Sequence, residues 1–209
     1  MVFTWIGNVR PLLDEECYRK YWRQVPDFRQ EKADRHHSLA DRALSVGVWV
    51  LWQRARREFH LPEDAVFNLS HSGCYALCSV ETGKDVRAQV GCDVERISDY
   101  RERVARRFFF PEEYDAIQAQ EDPTRRRLLF FRYWVLKESF MKATRQGMAM
   151  ALDSFSFHIE EGAHPVLTAC PAPYTREDYH FREFALAGHR VAVCSTDAQI
   201  DEHLRWVRF

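Results

Sequence analysis

The longest helical pattern of the chain contains the stretch Trp134-Val135-Leu136-Lys137-Glu138-Ser139-Phe140-Met141-Lys142. Asp122 and Pro123 open this pattern as a cap residue followed by proline at the first helical position. We expect the helix to run to Gln146 and to stop at Gly147, a residue type that commonly ends helices. Apolar side chains occupy nearly every side of the pattern, so the helix should lie at the centre of the fold.

Working outward from this helix, the rest of the chain mixes helical and strand-like patterns. A second long helix is expected from Ser38, whose hydroxyl can cap it with Asp41 reaching back, to about Phe59. Alternating or short apolar runs predict strands at 66–69, 75–80, 90–95, 154–159, 181–186 and 190–195. This order predicts an α+β fold of two halves, residues 1–85 and 86–209, with the boundary between them near residues 81–89.

Composition narrows the class of protein. The chain has 209 residues and a formal net charge of −1, so no global basic field favours nucleic acid as a partner. No apolar run is long enough for a membrane span or a signal peptide, so no membrane partner is expected. The six cysteines have no paired metal-binding spacing. Some of them lie in apolar strand-like runs, which fits a reducing, cytoplasmic setting.

Two acidic residues lie on one face of the strand predicted at 90–95. Strand alternation places Gly91, Asp93 and Glu95 on the same face, with Val90, Cys92 and Val94 on the other. Carboxylates beside a glycine that permits close approach suit a hard cation such as Mg²⁺. An amphipathic strand with acids facing water is the alternative reading of the same pattern.

The central helix adds a third acid and a lysine. Glu138 and Lys142 are spaced i, i+4, which by itself is also typical of a surface salt bridge. On a helix that is apolar nearly all round, a buried acid needs a cation or a hydrogen bond. Asp93, Glu95 and Glu138 are therefore predicted to hold one Mg²⁺ with Lys142 nearby, a set suited to chemistry at a pyrophosphate.

Three motifs in this order resemble those of the surfactin-synthetase-type 4′-phosphopantetheinyl transferases. They are Phe67-Asn68-Leu69-Ser70-His71-Ser72, Val90-Gly91-Cys92-Asp93-Val94-Glu95 and the helical stretch that ends at Lys142. The segments around Arg107-Phe108-Phe109 and Leu152-Asp153-Ser154 are also similar, so the likeness runs from about residue 25 to 196. It implies two similar α+β halves related by a pseudo-twofold axis, with the active site at their interface.

The resemblance also implies a reaction. The serine hydroxyl of an apo acyl or peptidyl carrier protein would attack coenzyme A, take the phosphopantetheine arm and release adenosine 3′,5′-bisphosphate. Glu138 would be the general base and a Mg²⁺ ligand, and Lys142 would stabilise or protonate the leaving phosphate. A monomer is expected.

The resemblance further implies a set of coenzyme A contacts. The expected contact residues are Arg29, Lys32, Arg35, Ser38, Ser70, His71 and Lys137. The cations of 29–35 share one helix face, as a phosphate clamp requires, although a solvated face has the same pattern. Ser70-His71-Ser72-Gly73 is likewise compatible with an ordinary turn. The family's Gly-Lys-Pro turn, whose lysine reaches a coenzyme A phosphate, is absent before Val66. The contacts to the adenosine end of coenzyme A are therefore expected to differ from those of the family.

Two other functions fit the same residues. One is a different Mg²⁺-dependent enzyme acting on pyrophosphates, and the other is a non-catalytic module that binds carrier proteins or coenzyme A. The retention of all the acids and of Lys142 disfavours a mere binder. Carrier proteins are generally acidic, so a docking surface is expected at Arg106, Arg107, the arginines of 125–127 and exposed members of 108–110.

Overall fold

The fold consists of sheets covered by helices, as a computed structural model describes it for residues 1–83 and 87–209, with Met148 described by its backbone only. The helices are α1 (Glu15–Trp22), α2 (Asp27–Asp34), α3 (Leu39–Glu58), α4 (Glu102–Phe108), α5 (Pro111–Gln118) and α6 (Pro123–Ala143). The strands are β1 (Val2–Asn8), β2 (Phe67–Ser72), β3 (Tyr75–Glu81), β4 (Val90–Arg96), β5 (Ser156–His158), β6 (Val166–Ala169), β7 (His180–Leu186), β8 (His189–Ser195) and β9 (Ile200–Val207). The α+β prediction is confirmed.

Two sheets carry the core of the described chain. One has the strand order β2-β3-β1-β9, in which β1 is antiparallel to β3 and parallel to β9. The other has the order β4-β8-β7 with antiparallel pairing throughout, and β5 and β6 form a short two-stranded sheet whose Phe157 packs against Phe181 of β7. Helix α3 packs on the first sheet and helix α6 packs on the second.

The two sheets face each other through a shared apolar cluster. Ile6 and Leu77 from the first sheet meet Val90, Cys92 and Val94 of β4, all of them buried. The opposite face of β4 lies under α6, so the alternation predicted for this strand is confirmed. Strand β4 is therefore covered on both faces and carries its acids toward the helix.

The two long helices begin as predicted. Ser38 Oγ accepts a hydrogen bond from Asp41 N at 3.0 Å and donates one to Asp41 Oδ2 at 2.6 Å. Asp122 Oδ1 accepts from Thr124 N at 2.9 Å, and Pro123 is the first helical residue. Buried residues occur on all sides of α6, which confirms its central position. The helix ends at Ala143 rather than near residue 146.

The division into residues 1–85 and 86–209 needs a correction at the carboxyl end. The boundary itself falls at 84–86, outside the described residues. Strand β9, however, returns to the first sheet and pairs with β1, from Val2 opposite Ile200 to Gly7 opposite Val207. Residues 200–207 therefore complete the sheet of the first half, a long-range pairing that a local pattern does not reveal.

Candidate active site

A row of side-chain hydrogen bonds joins the edge strands β2 and β4. Cys92 N donates to Asn68 Oδ1 at 3.0 Å. The next two outward N–H groups of β4 are also bound: Val94 N donates to Ser70 Oγ at 3.3 Å, and Arg96 N to Ser72 Oγ at 3.1 Å. Residues 70–72 are thus strand, not the turn that the sequence allowed. We call this row the seam, and each of its three side chains with its hydrogen bond to a β4 N–H group a rung.

Ser70 is the middle rung of the seam and also organises the acids. Its hydroxyl donates to Asp93 Oδ1 at 2.9 Å and accepts from Lys142 Nζ at 3.0 Å as well as from Val94 N. The donor and both acceptor positions of a serine hydroxyl are then in use. All three side-chain hydrogen bonds of Ser70 are made to protein groups in this structure, and its contact with coenzyme A stays a prediction.

Asp93 and Lys142 form the closest ion pair of the site. Lys142 Nζ lies 2.6 Å from Asp93 Oδ1. Burial raises the pKa of the Asp93 carboxyl, against a lowering by the Lys142 ammonium. Burial likewise opposes the charge on Lys142, but Asp93, Cys92 and Glu138 together outweigh it and raise the pKa of the lysine. The two groups, predicted from distant elements, are brought together.

Gly91 explains how α6 comes close enough for this pair to form. A Cβ at Gly91 would overlap the carbonyl oxygen of Ser139 and the backbone nitrogen of Ala143. Glycine alone lets the helix backbone rest directly on the strand at this point. The predicted close approach at Gly91 is confirmed, and the approaching group is α6 itself.

Glu95 and Glu138 complete the acidic group. Glu95 Oε2 accepts a hydrogen bond from Ser72 Oγ at 2.8 Å. Burial, followed by the charge of Asp93, raises the pKa of both carboxyls. The charge of Glu138 adds a smaller increase to the pKa of Glu95, so the acids from β4 and α6 share one electrostatic environment.

One oxygen of the acidic group is suited to bind a divalent cation. Asp93 is 3% exposed, and its Oδ2 atom has no hydrogen-bond partner among the described residues. A buried carboxylate oxygen without a partner is a position where a cation is favourable. In the described part of the chain, however, no three acidic, histidine or cysteine side chains are gathered closely enough to bind one ion. Ligation by all three carboxylates would therefore require side-chain movement.

His71 and the residues of α2 lie on the other side of the seam. Burial and the ammonium of Lys142 lower the pKa of His71, and His36 and Lys32 add smaller effects. Lys32 and Arg35 are exposed. Arg29 is only 7% exposed, stacks over the ring of Trp49 at 4.6 Å and donates to Ser45 O at 3.3 Å. It has no salt bridge to a described carboxylate, and burial lowers its pKa.

Lys137 does not face the site. Its side chain is fully buried, and Nζ lies 2.8 Å from Glu113 Oε2, 2.8 Å from Leu152 O and 2.7 Å from Phe155 O. An ammonium has three donors, and these three acceptors use them all. The predicted contact between Lys137 and coenzyme A phosphates is therefore wrong. The adjacent residue Glu138 points elsewhere because consecutive helical positions differ by about 100°.

Glu113 is a buried acid that the sequence reading missed. Besides Lys137, its carboxylate accepts Phe157 N at 2.8 Å and Phe110 N at 3.0 Å. The Lys137–Glu113 pair thus links α5 and the start of β5 to α6, the helix that carries Glu138 and Lys142. Its signal in the sequence is the pair of adjacent acids Glu112 and Glu113 directly after Pro111, in the first turn of α5.

Comparison with known proteins agrees with this geometry. Residues 89–194, about half of the chain, match the model of the 4′-phosphopantetheinyl transferase superfamily. The chain belongs to this superfamily. The matched region contains β4, α6 and the acids that they carry.

Individual relatives extend the likeness. A 4′-phosphopantetheinyl transferase of Bacillus subtilis is 32% identical over 133 residues, which are 63% of this chain and 55% of that protein. The 4′-phosphopantetheinyl transferase Sfp of Bacillus subtilis strain 168 is 27% identical over 147 residues, or 70% of this chain and 62% of that protein. The chain therefore spans less than two thirds of the length of these superfamily relatives.

A solved structure has a partial likeness. Holo-[acyl-carrier-protein] synthase of Thermotoga maritima aligns with a TM-score of 0.44 and 24% identity, over 51% of this chain and 61% of that one.

The buried Lys137–Glu113 pair generates a test of its structural role. Lys137→Met or Glu113→Leu alone leaves one buried charge unpaired, and each should lower the free energy of unfolding in urea by about 3–5 kcal/mol. The double variant removes both charges and should be more stable than either single variant. As a control, Arg19→Met breaks an exposed pair with Glu15 and should change stability little. A double variant that loses the sum of the two single effects would contradict this assignment.

Proposed function

We propose that this protein transfers the phosphopantetheine arm of coenzyme A to a serine of an apo acyl or peptidyl carrier protein in a Mg²⁺-dependent reaction. The observation that carries the proposal is the cluster of Asp93, Lys142 and Ser70 beside Glu95 and Glu138 at the seam. Membership of the superfamily supports the class of reaction, and its relatives, which are 4′-phosphopantetheinyl transferases, support phosphopantetheine as the transferred group.

Coenzyme A, the proposed donor of the phosphopantetheine arm, would lie across the seam. Lys142 and His71 would contact the diphosphate, since the two residues are close enough for the Lys142 charge to lower the pKa of His71. Arg29, Lys32, Arg35 and the α3 start at Ser38 would bind the phosphorylated nucleotide. Arg29 supports this assignment because a buried guanidinium without a carboxylate partner favours an anion.

The proposed reaction assigns each proton and bond. The carrier serine oxygen forms a bond to the phosphorus that bears the pantetheine arm, and the diphosphate bridge to the nucleotide breaks. Glu138 accepts the serine proton, directly or through a water molecule. The Lys142 ammonium stabilises the charge that develops on the departing phosphate, and adenosine 3′,5′-bisphosphate leaves.

Asp93, Glu95 and Glu138 are the proposed ligands of Mg²⁺. The ion, when bound, would neutralise diphosphate oxygens and orient them. Asp93 is the best supported of the three because its Oδ2 atom is buried and has no partner among the described residues. Ser70 and Ser72 would hold the Asp93 and Glu95 carboxylates in place through their hydroxyl groups.

The proposed carrier surface contains basic and aromatic side chains on α4. Arg106 and Arg107 are exposed, and Arg107 lies over the ring of Phe108 at 5.2 Å from its centroid. Phe108 is 38% exposed, whereas Phe109 is buried and unavailable. Arg126 donates to Gln120 O, which leaves Arg125 as the most exposed member of the second arginine group.

The cellular setting is also part of the proposal. No helix in the described part of the chain is both long and apolar enough to cross a membrane. The six cysteines are free thiols. A reducing, cytoplasmic setting and a monomeric state are proposed from the sequence.

A mass-shift assay tests the proposed reaction. Incubation with coenzyme A, Mg²⁺ and an apo carrier protein should add one phosphopantetheine group to the carrier, observed by intact-protein mass spectrometry. Glu138→Gln keeps the size of the side chain but removes the proton acceptor, and should lower the rate at least about 100-fold. A carrier of unchanged mass would reject the proposal in favour of a pyrophosphate-acting enzyme of another kind or a binder.

Charge reversal tests the proposed carrier surface. The Arg106→Glu/Arg107→Glu variant should raise KM for the acidic carrier about ten-fold, because attraction between opposite charges is removed. For the same reason, the KM of the variant should depend much less on salt concentration than the wild-type KM does. The dissociation constant for coenzyme A should stay unchanged. Arg10→Glu/Arg208→Glu makes the same change in net charge at exposed positions on the other half and serves as the control. Equal KM values in the two double variants would remove this surface from the account.

A further inference from the structure

A cavity of about 440 Å³ lies between α1, the end of α2 and the start of α3. Its lining includes Tyr18, Trp22, Asp34, Leu39 and Arg42. None of the residues proposed to bind coenzyme A or Mg²⁺ lines it, so the cavity is distinct from the proposed active site. Its volume lies in the range of pockets that bind small molecules. We call it the amino-terminal cavity.

Two polar groups in the lining of this cavity are buried without a partner. Tyr18 is 7% exposed, and neither its hydroxyl oxygen nor the Nε1 atom of Trp22 has a hydrogen-bond partner among the described residues. Buried polar groups are normally paired, and an indole N–H can only donate. An acceptor oxygen of a ligand would supply the partner that the described protein groups do not.

Asp34 and Arg42 bring opposite charges to the cavity. Burial is the main cause that raises the pKa of Tyr18, the charge of Asp34 adds to this increase, and the charge of Arg42 opposes it. Arg42 Nε donates to His36 O at 2.8 Å, which leaves the terminal nitrogens of the guanidinium for a ligand. Neither Asp34 nor Arg42 forms a salt bridge with a described residue. A ligand that carries both charges could therefore pair with each of them.

The remaining lining is partly neutralised and partly apolar. Arg19 Nη2 lies 2.6 Å from Glu15 Oε1, so these two charges offset each other. Arg23 is exposed and adds a further positive charge. Trp22 and Leu39 are half-buried and pack against the apolar cluster that contains Tyr18. The cavity thus combines an apolar wall with one acid and at least one cation that have no described ion-pair partner.

We propose that the amino-terminal cavity binds a free α-amino acid with an apolar side chain. The carboxylate of the ligand would accept hydrogen bonds from Arg42, Trp22 Nε1 and the Tyr18 hydroxyl, which satisfies the unpartnered donors. The ammonium group would pair with Asp34, and the apolar side chain would lie against Leu39. Binding here needs neither coenzyme A nor a carrier protein, so the site is independent of the proposed function.

A titration followed by nuclear magnetic resonance tests this site with three related probes. L-Phenylalanine carries both charged groups, 3-phenylpropanoate lacks the ammonium, and 2-phenylethylamine lacks the carboxylate. Each of the six tryptophans contributes one indole N–H signal, and the Trp22→Phe variant identifies the signal of Trp22. L-Phenylalanine should shift this signal in a saturable manner. The other two probes should bind about ten-fold more weakly, because each loses one charged pair.

Charge-neutralising variants should separate the two ends of the ligand. Asp34→Asn should raise the dissociation constant of L-phenylalanine about ten-fold and leave that of 3-phenylpropanoate unchanged. Arg42→Gln should weaken L-phenylalanine to a similar extent and leave 2-phenylethylamine unchanged. Glu16→Gln and Lys20→Gln make the same changes in charge at exposed positions outside the lining and serve as the matched controls.

The outcomes decide the assignment without reference to the transfer reaction. Saturable binding of L-phenylalanine that is weakened by Asp34→Asn and not by Glu16→Gln supports the site, whether or not the protein binds coenzyme A. No saturable shift of the Trp22 signal would overturn the proposal, as would equal effects of these two variants. Competitive displacement of L-phenylalanine by coenzyme A would assign the cavity to the donor and would also overturn it.

Discussion

The arrangement of the site depends on three hydrogen bonds from backbone to side chain between two edge strands. Cys92, Val94 and Arg96 of β4 present outward N–H groups that no neighbouring strand pairs with in the described chain. Asn68, Ser70 and Ser72 of β2 accept these groups instead. Each such bond contributes about 1 kcal/mol net to stability, whereas an unsatisfied buried N–H costs about 1–3 kcal/mol. Loss of a rung would therefore destabilise the fold by more than the hydrogen bond itself contributes. The seam also covers two edges that would otherwise be open to pairing with other chains.

The seam and the chemistry share atoms. Ser70 Oγ is at once a rung, a donor to Asp93 and an acceptor for Lys142, so the alignment of the two sheets sets the position of the ion pair. Gly91 sets the height of α6 above β4, and the Lys137–Glu113 pair ties α6 to α5 and β5 from below. The active-site helix is thus fixed on two sides by contacts that involve no ligand. The remaining buried oxygen of Asp93 and the raised pKa values of Glu95 and Glu138 are consistent with a site that is completed by a cation.

Local patterns in the sequence predicted much of this arrangement, and the failures have physical reasons. The caps at Ser38 and Asp122, the central position of α6 and the alternation of β4 are set by residues close together in the chain, so they could be predicted. The polar residues 70–72 were compatible with a turn because they directly precede the turn between β2 and β3, and the β4 groups that their side chains bind lie about 24 residues away. Strand β9 pairs with residues at the opposite end of the chain, which periodicity cannot reveal. Lys137 carried a charge that suggested a ligand, but burial and three protein acceptors determine its role.

The seam holds the proposed coenzyme A site together, and chemical denaturation with and without coenzyme A tests this dependence most directly. Ser70→Ala/Ser72→Ala should lower the free energy of unfolding by about 2–5 kcal/mol, since the buried N–H of Val94, the exposed N–H of Arg96 and two carboxylates lose hydrogen-bond partners. The additional stability conferred by saturating coenzyme A should also fall, because a ligand stabilises in proportion to its affinity for the folded state. Ser154→Ala, which removes an exposed local hydrogen bond, is the control. A double variant as stable as the control that keeps the full effect of coenzyme A would contradict the account.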